Sequence, residues 1–214
     1  MTQVEPEMKM RILLAAKKLF ARQGYDGTSV RQICEEAGAN VALVSYYFGG
    51  KENVFSAMFS TFIAEKMWEE LEDKLQEPVQ GIRTIIRQVQ LFKKMDPELE
   101  SIIHQEMNMT SPRVEHVRKY QFRIWRKVRQ LLERGREEGI FHFTSLDHTV
   151  FVVMGCIIFQ EKMSHAYFEP LKLEPELELG ELIEQTCDFV LNGLGVPKSM
   201  RGGEPDYESS ATEI

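Results

Sequence analysis

The chain has 214 residues, 43% of them apolar and 28% charged, an ordinary globular composition that excludes a mainly disordered chain, a collagen-like repeat and a disulfide scaffold. Its 26 Lys and Arg stand against 33 Asp and Glu, and a net charge of -7 argues against a protein that coats nucleic acid over its whole surface. The charge is uneven. Residues 1–53 carry seven bases and six acids, and the rest carries 19 bases and 27 acids. An acidic body with a near-neutral head can still bind DNA if a few cations and backbone amides meet phosphates locally.

Three cysteines, Cys34, Cys156 and Cys187, lie far apart with no CxxC or Cys/His cluster, so no metal site and no cofactor are expected. Reduced thiols point to a cytoplasmic location. The longest apolar stretch, residues 150–159, is too short to cross a bilayer, and acid precedes base at the N-terminus, unlike a signal peptide. No membrane partner is expected.

Apolar positions recur at three- and four-residue steps, which predicts an all-α chain of about nine helices. The first spans residues 8–23, with Ile12, Ala16, Leu19 and Phe20 on one face, and stops at Gly24. Asp26-Gly27 turns the chain, and Thr28 or Ser29 caps a second helix with Val30, Ile33, Cys34 and Ala37 inward. Asn40 caps a short third helix that ends near Phe48, before Gly49-Gly50. A long fourth helix from Lys51 carries a stripe that includes Val54, Phe55, Met58, Phe59, Phe62, Met67 and Leu71. Pro78, Pro97 and Pro112 mark later starts, the last opening an Arg-rich helix over residues 113–138. Ser145 opens a helix to about residue 167, residues 170–175 form a loop, and a last helix covers 178–192. Residues 199–214, rich in Gly, Ser and Glu, form a tail expected to be disordered. The division is therefore a head over 1–53, a body over 54–198 and that tail.

Two short helices joined by Ala37-Gly38-Ala39-Asn40 have the spacing of a helix-turn-helix, whose second helix enters a DNA major groove. If Ala39, Val44 and Phe48 face inward, then Val41, Ala42, Leu43, Ser45, Tyr46 and Tyr47 stay outside. That face suits contact with thymine methyls and phosphates better than contact with water. The alternative for Tyr46 and Tyr47 is packing on the first helix.

The stretch RILLAAKKLFARQGYDGTSVRQICEEAGANVALVSYYFGGKENVF resembles the DNA-binding domain of the TetR family of one-component repressors. The match covers residues 10–59, carried by AAxxLFxxxGYxxTSVxxI, then AG, YYF and KE in order. The resemblance implies a homodimer that binds an operator in double-stranded DNA and a small-molecule effector in its C-terminal domain. It also implies roles. Thr28 and Ser29 would meet phosphate, as would Lys51 at the start of the fourth helix. Asn40, Val41, Ala42, Leu43 and Ser45 would lie along the major groove, and Tyr46 and Tyr47 would reach phosphate oxygens. The family often places a bulky residue where Ser45 stands. No Arg projects from this helix to read guanine, so shape, methyl and backbone contacts are expected to dominate.

The body has no further motif. Its Met and aromatic side chains fit a helical core or an effector pocket. Pocket candidates are Phe62, Phe92, Met107, Gln121 and Phe122, followed by Trp125, Phe151, Met154 and Phe159. The run VFVVMGCIIF is apolar all round its helix, so one side needs a partner. Paired with the last helix, it gives the dimer candidates Val152, Gly155, Leu182, Thr186, Phe189 and Val190. The Arg-rich helix reads as a solvated surface, with an anion site as the alternative. Two rival functions remain: an enzyme with an accessory helix-turn-helix, and an architectural or division factor without an effector. No nucleophile elbow, phosphate loop or acidic catalytic set supports the enzyme, so the chain is expected not to be one.

Overall fold

A computed structural model describes residues 4–63, 75–107, 111–159, 170 and 177–201. These residues form α1 (Val4–Gln23), α2 (Val30–Ala37), α3 (Val41–Phe48), α4 (Lys51–Phe62), α5 (Pro78–Met95), α6 (Pro97–Met107), α7 (Val114–Glu137), α8 (Leu146–Ile158) and α9 (Leu179–Gly193). A 3-10 turn, Lys198–Met200, follows, and the described residues contain no strand. The fold is all-α, with an N-terminal helix-turn-helix. No described helix is long and apolar enough to cross a membrane.

The chain divides into two compact units, Met1–Leu71 with Leu91–Ile124 and Glu72–Gln90 with Trp125–Ile214. The first unit is the head together with α4, α6 and the first half of α7. Ile12, Ala16 and Phe20 of α1 meet Ile33 and Ala37 of α2, Val44 of α3, and Val54, Phe55, Met58 and Phe59 of α4 in one buried core. Leu99, Ile102 and Ile103 of α6 and Val117 of α7 complete it. Each such Val, Leu, Ile, Met or Phe side chain withdrawn from water contributes about 1.5–3 kcal/mol. Phe20, Tyr25, Phe55 and Phe59 form a chain of ring contacts through this core, with centroids 5.0–5.4 Å apart. Two long-range polar ties add direction. Lys17 Nζ reaches both carboxylate oxygens of Asp96 at 2.8 and 2.7 Å, and Gln105 Nε2 donates to the Ala21 carbonyl at 3.0 Å.

In the second unit, Ile82 and Ile86 of α5, Val128, Leu131 and Leu132 of α7, Val153, Met154 and Ile157 of α8, and Leu191 of α9 are buried. Gly135 lets the Phe141 ring lie flat against α7, because a Cβ there would sit 2.2 Å from a ring carbon. Arg83 Nη2 donates to both carboxylate oxygens of Glu184, at 2.9 and 2.7 Å, joining α5 to α9.

The expected helices to Gly49 appear with their stops, and α1 starts earlier than the expected residue 8. Met67 and Leu71, expected on the fourth helix, lie outside the described residues. The extension of the eighth helix to 167, the loop at 170–175 apart from Pro170, and residues 202–214 of the tail also lie outside them. Residues 199–201 depart from the expected tail. Arg201 is buried, donating from Nε to the Val196 carbonyl and from Nη2 to Asn192 Oδ1, both at 2.9 Å. That clamp ties the short turn to the end of α9, a contact that composition cannot reveal.

Candidate DNA-binding head

Helix α2 begins with a reciprocal cap. Ser29 Oγ accepts from the Gln32 amide at 3.2 Å, and Gln32 Oε1 accepts from the Ser29 amide at 2.8 Å. It ends at Gly38, whose φ of 62° is the left-handed conformation that glycine adopts without strain. Two residues on, Asn40 Oδ1 accepts from the Leu43 amide at 3.0 Å and starts α3. The turn between α2 and α3 is thus set by two caps and one glycine.

Within α3, Val44 alone is fully buried. Val41, Ala42, Ser45 and Tyr46 are exposed, with Tyr46 at 76%, while Leu43 is half-buried. Tyr47 is also half-buried, packed against the head core, with its ring edge-on to Tyr46 at 5.2 Å. The two tyrosines therefore differ: Tyr46 stands free and Tyr47 is braced. Lys9 of α1 adds to the bracing, its ammonium 5.2 Å from the Tyr47 ring centroid.

Thr28 is 1% exposed. Its hydroxyl donates to the Gly24 carbonyl at 2.8 Å and its amide donates to the Tyr25 carbonyl at 3.1 Å. A direct phosphate contact from Thr28 would require that hydroxyl to leave Gly24. Lys51 is half-buried, donating to the carbonyls of Tyr25 at 2.9 Å and Thr28 at 2.8 Å. An ammonium has three donors, so one remains for a ligand. Burial lowers the Lys51 pKa from its ordinary value, Asp26 opposes that shift, and the like charge of Arg113 adds to it.

The model described as "Bacterial regulatory proteins, tetR family" matches residues 12–58, which span α1 from Ile12 through most of α4. Those residues form a helix-turn-helix DNA-binding domain of the kind found in TetR-family transcriptional regulators. It is 23% identical over 193 residues to the HTH-type transcriptional repressor NicS of Pseudomonas putida, covering 86% of this chain and 90% of NicS. It is 32% identical over 74 residues to the repressor AcnR of Corynebacterium glutamicum, covering 35% of this chain and 39% of that one. Among solved structures, the hemolysin II transcriptional regulator HlyIIR superposes with a TM-score of 0.65 at 29% identity, covering 85% of this chain and 97% of HlyIIR.

The other expected site residues fall in both compact units. Of the pocket candidates, Phe62, Phe92, Met107, Gln121 and Phe122 belong to the first unit, and Trp125, Phe151, Met154 and Phe159 to the second. Phe62 carries the Lys17 ammonium 4.6 Å above its ring, and Phe92 packs against the head core. Met107, Phe122, Phe151 and Phe159 are exposed, Met154 is buried, and Gln121 and Trp125 are half-buried. Of the dimer candidates, Val152 and Phe189 are exposed, Gly155 faces open space, Leu182 is half-buried, and Thr186 and Val190 are buried. An open groove of about 310 Å³ runs between α8 and α9, lined in part by Ser145, His148, Val152, Cys156 and Phe189. On the Arg-rich helix, Arg118 pairs with Glu115, Arg129 with Glu133 and Asp147, and Arg134 with Glu138. No group of three or more metal-ligating side chains occurs among the described residues.

Sequence reasoning did not single out Lys9, Arg11, Tyr25 or Arg113 as parts of the head. Tyr25 had a signal in the quoted GYxxT run. Arg113, far along the chain, had none.

Proposed function

We propose that this chain is a homodimeric repressor that binds an inverted-repeat operator and leaves it when a small, largely apolar effector occupies the body. The observation that carries the reading is α3 itself. An eight-residue helix that buries one side chain and presents Val41, Ala42, Ser45 and Tyr46 to solvent makes sense when a duplex covers that face. Beside it, the first-turn amides of α2 and the third Lys51 donor offer phosphate contacts, with Ser29 at the cap. Thr28 contributes chiefly by holding the turn. Asn40 and Leu43 start the helix that lies along the groove, and Tyr46 and Tyr47 reach the flanking phosphates.

The dimer rests on the exposed apolar face of α8 and α9, where Val152 and Phe189 flank the open groove and Gly155 permits close approach. A twofold dimer sets its two α3 helices about 34–36 Å apart, one DNA turn. Repression is favoured by the repressors NicS and AcnR to which the chain is similar. Release is linkage: an effector that prefers a body conformation with wrongly spaced heads weakens DNA binding, and DNA weakens effector binding by the same factor. Helix α4, which begins at Lys51, is the proposed lever. The aromatic and Met side chains named above supply apolar effector contacts.

Footprinting of the purified protein on the promoter of its own gene tests this. The expected result is two protected half-sites about one helical turn apart, with Tyr46→Ala weakening binding by about 1–3 kcal/mol. A folded Tyr46→Ala protein with unchanged affinity would overturn the reading of α3.

A further inference from the structure

We propose that Arg113 is a positioning residue for DNA binding, acting through the ring of Tyr25 on the ammonium of Lys51. The inference rests on the reading of Lys51 as a phosphate ligand. Arg113 lies just before α7, far in sequence from the helix-turn-helix, yet its side chain is only 13% exposed and its guanidinium carbon sits 4.1 Å from the Tyr25 ring centroid. The Lys51 ammonium sits 4.0 Å from the same centroid. One ring therefore serves two cations, each attracted to its π-face. The ring is itself wedged between Phe20 at 5.4 Å and Phe55 at 5.3 Å, so it cannot shift without disturbing the head core.

Lys51 is bound to Tyr25 twice, through the ring and through the Tyr25 carbonyl, and its other bond holds the Thr28 carbonyl next to the Ser29 cap. Whatever fixes Tyr25 thus fixes both the Lys51 ammonium and the start of α2. Arg113 is held from α6. Its Nε donates to Glu106 at 3.3 Å, and Glu106, nearly fully buried, also accepts from the Ser111 hydroxyl at 2.7 Å. A weaker contact reaches Asp26 at 3.5 Å. Glu106 and Asp26 offset the repulsion between the two cations. The chain of contacts runs from the end of α6 through Arg113 and Tyr25 to the phosphate-facing edge of the head. It assigns Arg113, whose side chain is only 13% exposed, to the head, not to an anionic ligand.

A structural prop would lower stability alone, whereas a positioning residue alters the ionic character of DNA binding. The test uses full-length protein, the footprinted duplex and fluorescence anisotropy across about 50–200 mM KCl. Lys51→Gln should lower affinity about five- to tenfold and reduce the slope of log K against log salt by about 0.9 per half-site. Arg113→Gln should reproduce most of both changes, and the double variant should be no worse than Lys51→Gln. Tyr25→Leu, which leaves the Arg113–Glu106 pair intact, should do the same and carries the test if Arg113→Gln does not fold. Arg113→Lys should recover part of the slope. Wild-type slopes in Arg113→Gln and Tyr25→Leu, or losses that multiply in the double variant, would overturn the proposal. A wild-type slope in Lys51→Gln would instead remove the phosphate role of Lys51, and the relay with it.

Discussion

Replacing Lys17 with Met should loosen the head from α6 by a predictable amount. The ammonium lies 2.7–2.8 Å from both oxygens of Asp96 and 3.8 Å from Glu98, and the Lys17 and Asp96 side chains are 11% and 19% exposed. At an effective dielectric constant near 20, such a pair attracts by about 5–6 kcal/mol, and lost hydration cancels most of it. Removing one partner of a fully buried pair costs about 3–5 kcal/mol. Water still reaches about a fifth of Asp96, so Lys17→Met should cost about 2–3 kcal/mol. Asp96 also accepts from the Leu99 amide at 3.1 Å, capping α6. Asp96→Ala should therefore cost about 1 kcal/mol more than Asp96→Ser, which keeps a cap oxygen. The Lys17→Met/Asp96→Ser double variant carries no unpaired charge from this pair and should recover about 2 kcal/mol relative to the sum of its singles. Urea unfolding followed by far-UV circular dichroism, at one protein concentration so that association is held fixed, measures the wild type and all four variants. Single costs that add to within about 0.5 kcal/mol would show that the pair contributes no coupling and refute the argument.

Ser29→Gly should cost only a few tenths of a kcal/mol in thermal stability, whereas Ser29→Ala should cost about 1 kcal/mol. A drop in operator affinity for the Gly variant, read by anisotropy, then reports the phosphate contact of Ser29 separately from its cap. Gly135→Ala should destabilise the protein by about 1–2 kcal/mol in thermal melts, because overpacking against the buried Phe141 ring outweighs the helix propensity gained. Adding Phe141→Leu should relieve part of that loss. Phe189→Glu should convert the proposed dimer to monomer in analytical ultracentrifugation. It should also speed the reaction of a thiol reagent with Cys156, while Cys34 stays buried and Cys187, whose thiol burial pushes up to about 12, stays inert.

The head was legible because its determinants are local. Gly24, Ser29, Gly38, Asn40 and Gly49 act within a few residues of where they stand, so each helix end can be read from its own neighbourhood. The inward set of α3 followed for Val44, while Ala39 and Phe48 are only half-buried, because a helix of two turns has little interior to offer. Lys51 shows where local reading stops. The family resemblance aims it at phosphate, but two of its donors go to carbonyls 23 and 26 residues earlier. Lys17–Asp96 spans 79 residues and Arg83–Glu184 spans 101, and no spacing rule links such partners. The pocket candidates were the least legible, since a Met or Phe stripe looks the same whether it packs on a core, faces solvent or lines a cavity.

The anchoring of α3 has an evolutionary consequence. Its ends are fixed by Asn40 and Gly49, and its inner face by the buried Val44 with the half-buried Tyr47 and Phe48. Residues 41, 42, 45 and 46 can therefore be rewritten with little penalty to folding. A library randomised at those four positions, screened on altered half-sites, should yield folded proteins with new operator preferences. Gene duplication would find the same route, diverging in target sequence long before diverging in architecture.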